Sequence, residues 1–336
     1  MDYTLHKDFS EINAQEWNEL LSASVSNSPF LRHEYQSAWW EHRGGGEWQN
    51  AQLILVSASE GGKLIGIAPL FIADYDGQRA LMLNGSIEIS DYLDLIVRPE
   101  DHAPFISGLL DFLASQLAGN WRGIDWYNLP DSSPTLTALK EESTKRGWTH
   151  LEEMYQPTPR IPLSRSFDDY LASVEKKQRH EIRRKTRRAE DSGRGVRWFI
   201  SDMQDPEAEI DAFIKLMEHD ENKAKFLTDS MRAQMRAIIR AAHAGGWLWL
   251  AFLEVDGERA VASLNFDYDN KLWGYNAGVD RTYMDLSPGW VLLSYVLQWC
   301  CENNRTEFDF MRGDEEYKYR FGAVNKFVMR AKITKA

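Results

Sequence analysis

The feature that most constrains this chain is an internal repeat that divides it into two halves of the same plan. The segment GKLIGIAPLF (Gly62–Phe71) is similar to GERAVASLNF (Gly257–Phe266). In each half a predicted β-hairpin is followed by a further strand, an amphipathic helix and a short last strand, and in that last strand Asp125 and Asp309 take the same place. Solenoid repeats are only about 20–50 residues long, so a repeat of this length predicts duplication of one α/β domain.

A proline-rich stretch lies between the two halves and predicts the domain boundary. Pro157, Pro159 and Pro162 follow one another closely. Proline interrupts both helices and central strands, so this stretch reads as a linker or crossing segment. With 336 residues the chain is long enough for two ordinary domains, which we predict at 1–155 and 156–336.

Charge and cysteine content exclude several classes of protein. A net charge of −12 argues against general nucleic-acid coating, so we expect no DNA partner. The two cysteines, Cys300 and Cys301, are adjacent and can form neither a disulfide framework nor a metal cluster. His180, His219 and His243 share no metal-ligand spacing with an acid pair, so no metal is predicted. Reduced cysteines favour a cytoplasmic location.

The chain shows no sequence signal for secretion or membrane insertion. Its first residues, MDYTLHKDFSEI, have neither a basic n-region nor an apolar h-region. No apolar run approaches the roughly 20 residues that a transmembrane helix needs. Peripheral contact with a membrane surface stays open.

The richest chemical motif is Phe308–Gly322, FDFMRGDEEYKYRFG. An apolar alternation stops at Gly313, and acidic, hydroxyl and basic side chains follow at once. The candidates for catalysis among them are Asp314, Glu315, Tyr317 and Lys318. A strand that ends in such side chains can present polar chemistry at a sheet edge. Two alternatives are a polar turn before a solvated helix start and a set of structural ion pairs with Arg312 and Arg320.

This motif, together with SPGWVLL upstream, resembles the signature of the GNAT-superfamily acyltransferases grouped with the cellulose-biosynthesis protein CelD. Those proteins belong with the Fem-like tandem GNAT proteins. Their pattern, an F-D-F strand running into G-D-E-x-Y-K and an aromatic–Gly pair, is filled at every position here. Over nearly the whole chain the resemblance implies two GNAT-like domains. Each would be a mixed, mostly antiparallel sheet flanked by helices, whose central parallel strands splay apart to admit acyl-CoA.

The resemblance implies that acyl-CoA (acetyl-CoA) is the co-substrate, with its phosphates at the helix after the splayed strand. A helix N-terminus favours anions there. The predicted cofactor-binding residues are Ser287, Pro288, Gly289 and Trp290. The usual Q/R-x-x-G-x-G/A form is absent and Pro288 removes one N–H donor, so an ordinary helix cap is the alternative. The first half carries two acids at this place, in Arg98–Asp101, which would repel phosphate. We therefore expect the donor in the C-terminal domain and a degenerate N-terminal one.

The chemistry implied by the resemblance assigns roles to the motif. Asp314 or Glu315 could take a proton from the attacking amine, and Tyr317 could protonate the leaving thiolate or bind substrate. Lys318 could neutralise a phosphate or carboxylate. Three residues on strands that would line the cleft could orient a substrate amide. They are Asn265, Tyr275 and Asn276.

A highly basic helix, Glu175–Asp191, opens the second half. It resembles the K-x-R-x-x-I-R-x-x-x-R helix of Fem-like proteins. The predicted substrate-binding residues on it are Lys177, Arg179 and Arg183. Such a helix could hold tRNA phosphates, an anionic glycolipid or the phosphates of acyl-CoA. The alternative is a solvated face that balances an acidic protein.

These features predict a bacterial-type, cytoplasmic N-acyltransferase. It would move an acyl group from acyl-CoA to an amine of a sugar, polysaccharide or cell-envelope precursor. One alternative is a Fem-type ligase that takes its acyl group from aminoacyl-tRNA. The other is a non-catalytic GNAT-like pair that binds a partner in polysaccharide biosynthesis.

Overall fold

A computed structural model describes residues 1–75, 77–117 and 119–335. They form two compact units. The first comprises Met1–Pro157 and the segment from Phe327 onward, and the second comprises Thr158–Lys326. Each unit is built on one β-sheet flanked by helices, which confirms the predicted fold class.

The first unit contains the elements up to β7. Its strands are β1 (Asp2–His6), β2 (Gln49–Glu60), β3 (Lys63–Tyr75), β4 (Gln78–Leu83), β5 (Ile96–Val97), β6 (Gly123–Pro130) and β7 (Thr149–Pro157). Its helices are α1 (Ala14–Ser22), α2 (His33–Arg43), α3 (His102–Gln116) and α4 (Pro134–Arg146).

The second unit follows, and one further strand ends the chain. The strands are β8 (Arg160–Pro162), β9 (Arg197–Ile200), β10 (Leu248–Val255), β11 (Glu258–Tyr268), β12 (Lys271–Val279) and β13 (Glu307–Asp309). The helices are α5 (Phe167–Ser173), α6 (Lys176–Glu190), α7 (Pro206–Glu218), α8 (Glu221–Phe226), α9 (Asp229–Ala244), α10 (Pro288–Glu302) and α11 (Glu316–Arg320). The last strand is β14 (Phe327–Thr334).

The two sheets share one plan, as the sequence repeat predicts. The first has the order β1-β2-β3-β4-β6-β14-β7, with β5 on β3, and the second has the order β8-β13-β12-β11-β10-β9. Among the ladders of the described residues, β4–β6 and β12–β13 are parallel and the others antiparallel. Parallel neighbours need a crossover connection. Helix α3 makes it in the first unit and α10 in the second.

The last strand does not lie where the sequence placed it. The predicted second domain ran to residue 336, but β14 lies between β6 and β7 in the first sheet. Its Ala331 and Ile333 belong to the core of the first unit. In the second sheet β8, from the start of that unit, flanks β13. Alternation of polar and apolar residues identifies the buried face of a strand but not the sheet that it joins, so the sequence could not show this.

Helices cover both faces of the second sheet and so position the site. Helix α10 contributes Val291, Val296 and Leu297 to a core that contains Phe308 of β13. On the other face α7 contributes Phe213 to a core with Leu264 of β11. Each such side chain stabilises the unit by roughly 1.5–3 kcal/mol when fully buried. The β12–α10–β13 crossover is therefore firmly fixed on both sides.

Candidate active site at the splayed strands

The two parallel strands of the second sheet separate soon after they pair. Their register covers three positions and ends where Trp273 of β12 lies opposite Asp309 of β13. Beyond Asp309 the chain turns away through Met311 and Gly313, which have φ of 60° and 112°. Within the described part of the chain, Gly274–Val279 then has no ladder partner on the β13 side. We call Gly274–Val279 the free edge of β12.

A β-bulge lies where the free edge begins. Leu264 pairs with Asn276 and Asn265 with Gly274, so Tyr275 is the extra residue. A bulge bends its strand and strengthens the local twist, which helps the two strands to diverge. Asn265 is fully buried, and its amide donates to the Ser263 carbonyl at 3.1 Å. In this structure the Asn265 side chain therefore lies inside the sheet at the bulge.

The N-terminus of α10 has no side-chain cap. Ser287, at the N-cap, is in the left-handed region with φ of 53° and makes no capping hydrogen bond. Its hydroxyl oxygen instead accepts from Arg188 Nη2 of α6 at 3.1 Å. The Ser287 side chain therefore does not form the ordinary helix cap considered above. An uncapped helix N-terminus carries positive potential, which favours an anion beside it.

Helix α6 brings cations to this helix terminus. Lys185 Nζ lies 4.1 Å from the centroid of the Trp290 ring. The pKa of Lys185 is lowered, first by burial and then by the positive charges of Arg184, Arg188 and Arg320, while Glu181 partly offsets them. We call Lys185, Arg188 and Arg320 the cation cluster. Positive side chains gathered beside a helix N-terminus favour an anion there.

Trp290 joins α10 to the end of the acidic motif. Its ring lies 4.5 Å from the ring of Phe321, centroid to centroid. Its Nε1 is buried and has no hydrogen-bond partner among the described residues. The structure thus brings together Ser287–Trp290 and Phe308–Gly322, which are separate in the sequence.

Lys318 makes its polar contacts within the motif itself and stabilises its fold. Its side chain is 3% exposed, and Nζ lies 2.9 Å from Glu315 Oε2. The same Nζ donates to the carbonyls of Arg312, at 2.9 Å, and Gly313, at 3.1 Å. All three N–H groups of the ammonium are thereby used. The motif therefore contains a structural ion pair between Lys318 and Glu315, whereas the alternative above assigned such pairs to Arg312 and Arg320.

The two carboxylates predicted for catalysis differ. Asp314 is exposed. The pKa of Glu315 is lowered: burial raises it, but the hydrogen bond and charge of Lys318 and the charge of Lys223 outweigh burial. A lower pKa makes a weaker base. Arg320 pairs with Glu316 at 2.7 Å rather than with either of these acids.

Tyr317 opens the short helix α11 together with Glu316. Its ring packs edge-on against Phe310, with centroids 5.8 Å apart, and 45% of the residue is exposed. The pKa of its hydroxyl is raised, first by desolvation and then by the negative charge of Glu315. The hydroxyl therefore keeps its proton at neutral pH.

Lys223 of α8 is a site residue that the sequence analysis missed. Its Nζ donates to Asn276 Oδ1 at 2.9 Å and to the Ala277 carbonyl, both on the free edge of β12. Lys185 and Arg188 were also missed as site residues, although the basic helix was identified. Ile182 and Ala189 of that helix are its buried residues and could have shown which flank faces the protein.

The predicted substrate-binding residues of α6 lie elsewhere. Arg179 donates to the carbonyls of Leu171 and Ala172 and so closes the end of α5. Arg183 is exposed and lies 3.3 Å from Asp168. Lys177 is exposed in the first turn of the helix. On β12, Tyr275 packs against Phe266, with ring centroids 4.9 Å apart. Of the predicted set, Asn276 is the residue that contacts Lys223.

The described residues contain no group of three or more His, Cys, Asp or Glu side chains arranged to hold a metal ion. Across those same residues, no helix has the length and apolar character that crossing a membrane requires.

Comparison with known proteins agrees with this geometry. Residues 176–319 match the family model of the acetyltransferase (GNAT) domain. Among solved structures, FemX has a TM-score of 0.67 at 14% identity, with 98% of this chain and 97% of FemX covered. A conserved protein of unknown function from Bacteroides thetaiotaomicron VPI-5482 has a TM-score of 0.65 at 11% identity, with 99% and 100% covered. L-PGS from Bacillus licheniformis has a TM-score of 0.55 at 11% identity, with 90% and 91% covered. The curated proteins contain no match.

The splayed parallel strands and the matched model identify residues 176–319 as an acetyltransferase domain of the GNAT type. Because the likeness to FemX covers both units, the fold of the whole chain is also assigned. The chain has the Fem-like tandem GNAT fold that its motif resemblance implied.

Proposed function

We propose that this protein is an N-acyltransferase that takes its acyl group from acyl-CoA, with acetyl-CoA the simplest donor. The acceptor is an amine of a sugar, polysaccharide or cell-envelope precursor, a class that comes from the motif resemblance. Cys300 and Cys301 are buried and unbonded, which supports a reducing, cytoplasmic setting in a bacterium.

The observation that carries the proposal is the meeting of the free edge of β12, the α10 N-terminus and the cation cluster. An acyl-CoA is a long chain with amides in the middle and phosphates at one end. Beyond Trp273 no described residue of β13 pairs with β12, so an extended chain with amides could add along this edge. Lys185, Arg188 and the positive potential at the start of α10 would attract the phosphates.

The buried Nε1 of Trp290 supports the fit of the donor. It is an N–H without a protein partner among the described residues, and it lies at the first turn of α10. A phosphate or amide oxygen placed there would satisfy it. Gly289 leaves room as well, because the nearest atom to a Cβ built on it is a methyl of Val279 at 3.6 Å.

When bound, acyl-CoA supplies a thioester-activated acyl group. In the transfer the amine nitrogen bonds to the acyl carbon, the carbon–sulfur bond breaks, the amine loses a proton and the thiolate gains one. Tyr317 keeps its hydroxyl proton and is assigned as the donor to the thiolate. Asp314, which is exposed and not paired with Lys318, is assigned as the acceptor of the amine proton, directly or through one water.

Calorimetric titration of the full-length chain with acetyl-CoA tests the proposal. The wild type should bind, and Lys185→Ala with Arg188→Ala should weaken binding by about 10- to 100-fold, because charge-assisted hydrogen bonds are lost. The matched control is Arg183→Ala with Arg187→Ala, which removes the same charge from the opposite flank of α6. Absence of binding by the wild type at millimolar acetyl-CoA would overturn the proposal.

The second candidate is transfer from aminoacyl-tRNA, and the exposed flank of α6 favours it. At 100° per residue, Lys176, His180, Arg183 and Arg187 lie along one stripe, and all four are exposed. Such a stripe can follow a phosphate backbone. Binding of tRNA that weakens steeply with salt, and is lost in the Arg183→Ala, Arg187→Ala variant but kept in the other double variant, would support this candidate.

A further inference from the structure

Lys223 holds an unusual position for a lysine. It lies on α8, and its ammonium reaches β12 rather than solvent, donating to Asn276 Oδ1 and the Ala277 carbonyl. Burial lowers its pKa, and the negative charges of Asp220 and Glu315 partly offset this. Removing a lysine ammonium even partly from water costs stability unless its charge has a partner. Neither of its hydrogen-bond partners is charged.

The contact with Lys223 fixes the orientation of the Asn276 side chain. The side-chain oxygen of Asn276 accepts from Lys223 Nζ at 2.9 Å and from the Ala277 amide at 2.9 Å. Both neighbours are donors, so the atom that faces them has to be the oxygen and not the nitrogen. The NH₂ group consequently points away from Lys223. Among the described residues, no hydrogen bond uses that NH₂ group.

Asn276 stands at the point of the site where an acyl group would lie. It follows the bulged Tyr275 and comes three residues after Trp273, the last residue of β12 that pairs with β13. The positive charges of Lys223 and Lys318 both lower the pKa of Glu315. Lys223, which contacts Asn276, therefore lies near the acidic motif. All three N–H groups of the Lys318 ammonium contact acceptors within the motif, whereas Lys223 donates two of its three to β12.

We propose that the Asn276 amide donates a hydrogen bond to the carbonyl oxygen of the acyl group, and that Lys223 is the positioning residue that orients this amide. The inference rests on the proposed function, since it needs an acyl donor along the free edge of β12. The positive charge of Lys223 adds to the effect, because negative charge grows on that oxygen when the amine attacks.

Comparing acetyl-CoA with CoA in calorimetric titrations of the full-length chain isolates the carbonyl contact. The two ligands share their phosphates and amides, but only acetyl-CoA has the carbonyl. Lys223→Met should weaken acetyl-CoA binding by about tenfold relative to CoA binding, which is the effect of losing one oriented hydrogen bond. Asn276→Ala should do the same, and combining the two changes should add little, since both act on one contact.

Two controls separate positioning from a loss of structure. Lys225→Met removes an exposed lysine from the same helix and should leave the ratio of the two affinities unchanged. Lys223→Arg keeps a cation that can donate to Asn276 and should restore part of the ratio. Equal weakening of both ligands by Lys223→Met would overturn the inference while the acyl-CoA proposal stood. A wild type that binds neither ligand would overturn the acyl-CoA proposal and this inference together.

Discussion

Arg330 donates two hydrogen bonds of 2.7 Å to the buried carboxylate of Asp125, from Nε to Oδ1 and from Nη2 to Oδ2. The second unit repeats the relationship: Asp309 is fully buried, and Arg160 Nε lies 3.0 Å from its Oδ2. The two aspartates are at equivalent places of the sequence repeat. Each arginine arrives on the antiparallel neighbour, β14 for β6 and β8 for β13. The duplication thus keeps the ion pair although the strand that supplies the arginine comes from a different part of the chain.

We predict that Arg330→Leu lowers the free energy of unfolding by about 3–5 kcal/mol, because it leaves a buried carboxylate without its cation. Urea unfolding of the full chain, followed by tryptophan fluorescence, measures the loss. Adding Asp125→Asn to Arg330→Leu should recover part of it, since the uncompensated charge is then gone. A double variant that is no more stable than Arg330→Leu alone would contradict this explanation.

The close approach of α7 to β12 makes Gly278 necessary. A Cβ at Gly278 would lie 2.4 Å from the backbone nitrogen of Met217, and a backbone cannot move aside as a side chain can. We predict that Gly278→Ala lowers the free energy of unfolding by about 1–3 kcal/mol. The same substitution at Gly289, where a Cβ meets only Val279 at 3.6 Å, should leave stability unchanged or raise it slightly. Thermal unfolding of the two variants side by side decides the matter, and equal losses would contradict the packing argument.

Much of the fold was readable from the sequence because a strand–helix–strand repeat leaves local patterns. The hairpin turns, the apolar helix α10 and the equivalence of Asp125 and Asp309 depend on residues close in the chain. The sheet that β14 joins depends instead on residues that are far apart in the chain. The alternation of buried and exposed residues in β14 would suit either sheet. Only tertiary contacts, such as the pairing of Arg330 with Asp125, decide between the two sheets.

The site was predicted in outline but not in its residues. The SPG turn and the acidic motif were identified, and Trp290 and Phe321 do bring them into contact. On α6, charge surrounds most of the helix, so charge alone could not distinguish Lys185 and Arg188 from Arg179 and Arg183. The spacing of Ile182 and Ala189 carried that information. Lys223 had no local signal at all, because its role depends on a contact with β12, far away in the chain.

The Glu315–Lys318 pair should make stability depend on pH in a particular direction. The folded-state pKa of Glu315 lies below its ordinary value of 4.5. The pair therefore stabilises the fold above pH 4.5, and this contribution is lost as the pH falls through the folded-state pKa. We predict that Glu315→Gln lowers stability at pH 7, by under about 1 kcal/mol because the side chain is 60% exposed, and that the deficit shrinks below pH 4.5.

Urea unfolding of wild type and Glu315→Gln between pH 3.5 and pH 7 measures that deficit. The control is Glu316→Gln, the same change one residue further on. Its carboxylate is 79% exposed and pairs with Arg320, so its loss should cost less at pH 7. A Glu315→Gln deficit that grows as the pH falls would show that the ion pair does not lower the pKa of Glu315.

Tyr317 and Tyr319 lie on the same short helix and allow a matched test of the proton donor. The hydroxyl of Tyr317 has a raised pKa, whereas that of Tyr319 donates to Asn325 Oδ1 at 2.8 Å. If Tyr317 protonates the leaving thiolate, Tyr317→Phe should lower kcat by roughly 10²–10⁴-fold and leave acetyl-CoA affinity unchanged. Tyr319→Phe should retain turnover.

Release of free thiol from acetyl-CoA, measured with a panel of amino sugars as acceptors, follows the turnover of both tyrosine variants. Affinity for acetyl-CoA is measured separately by calorimetry, so that a loss of binding is not mistaken for a loss of chemistry. Because the thiolate must gain a proton whichever amine attacks, the defect of Tyr317→Phe should appear with every acceptor that the wild type uses. Full turnover by Tyr317→Phe would remove this tyrosine from the mechanism, and water would then be the source of the proton.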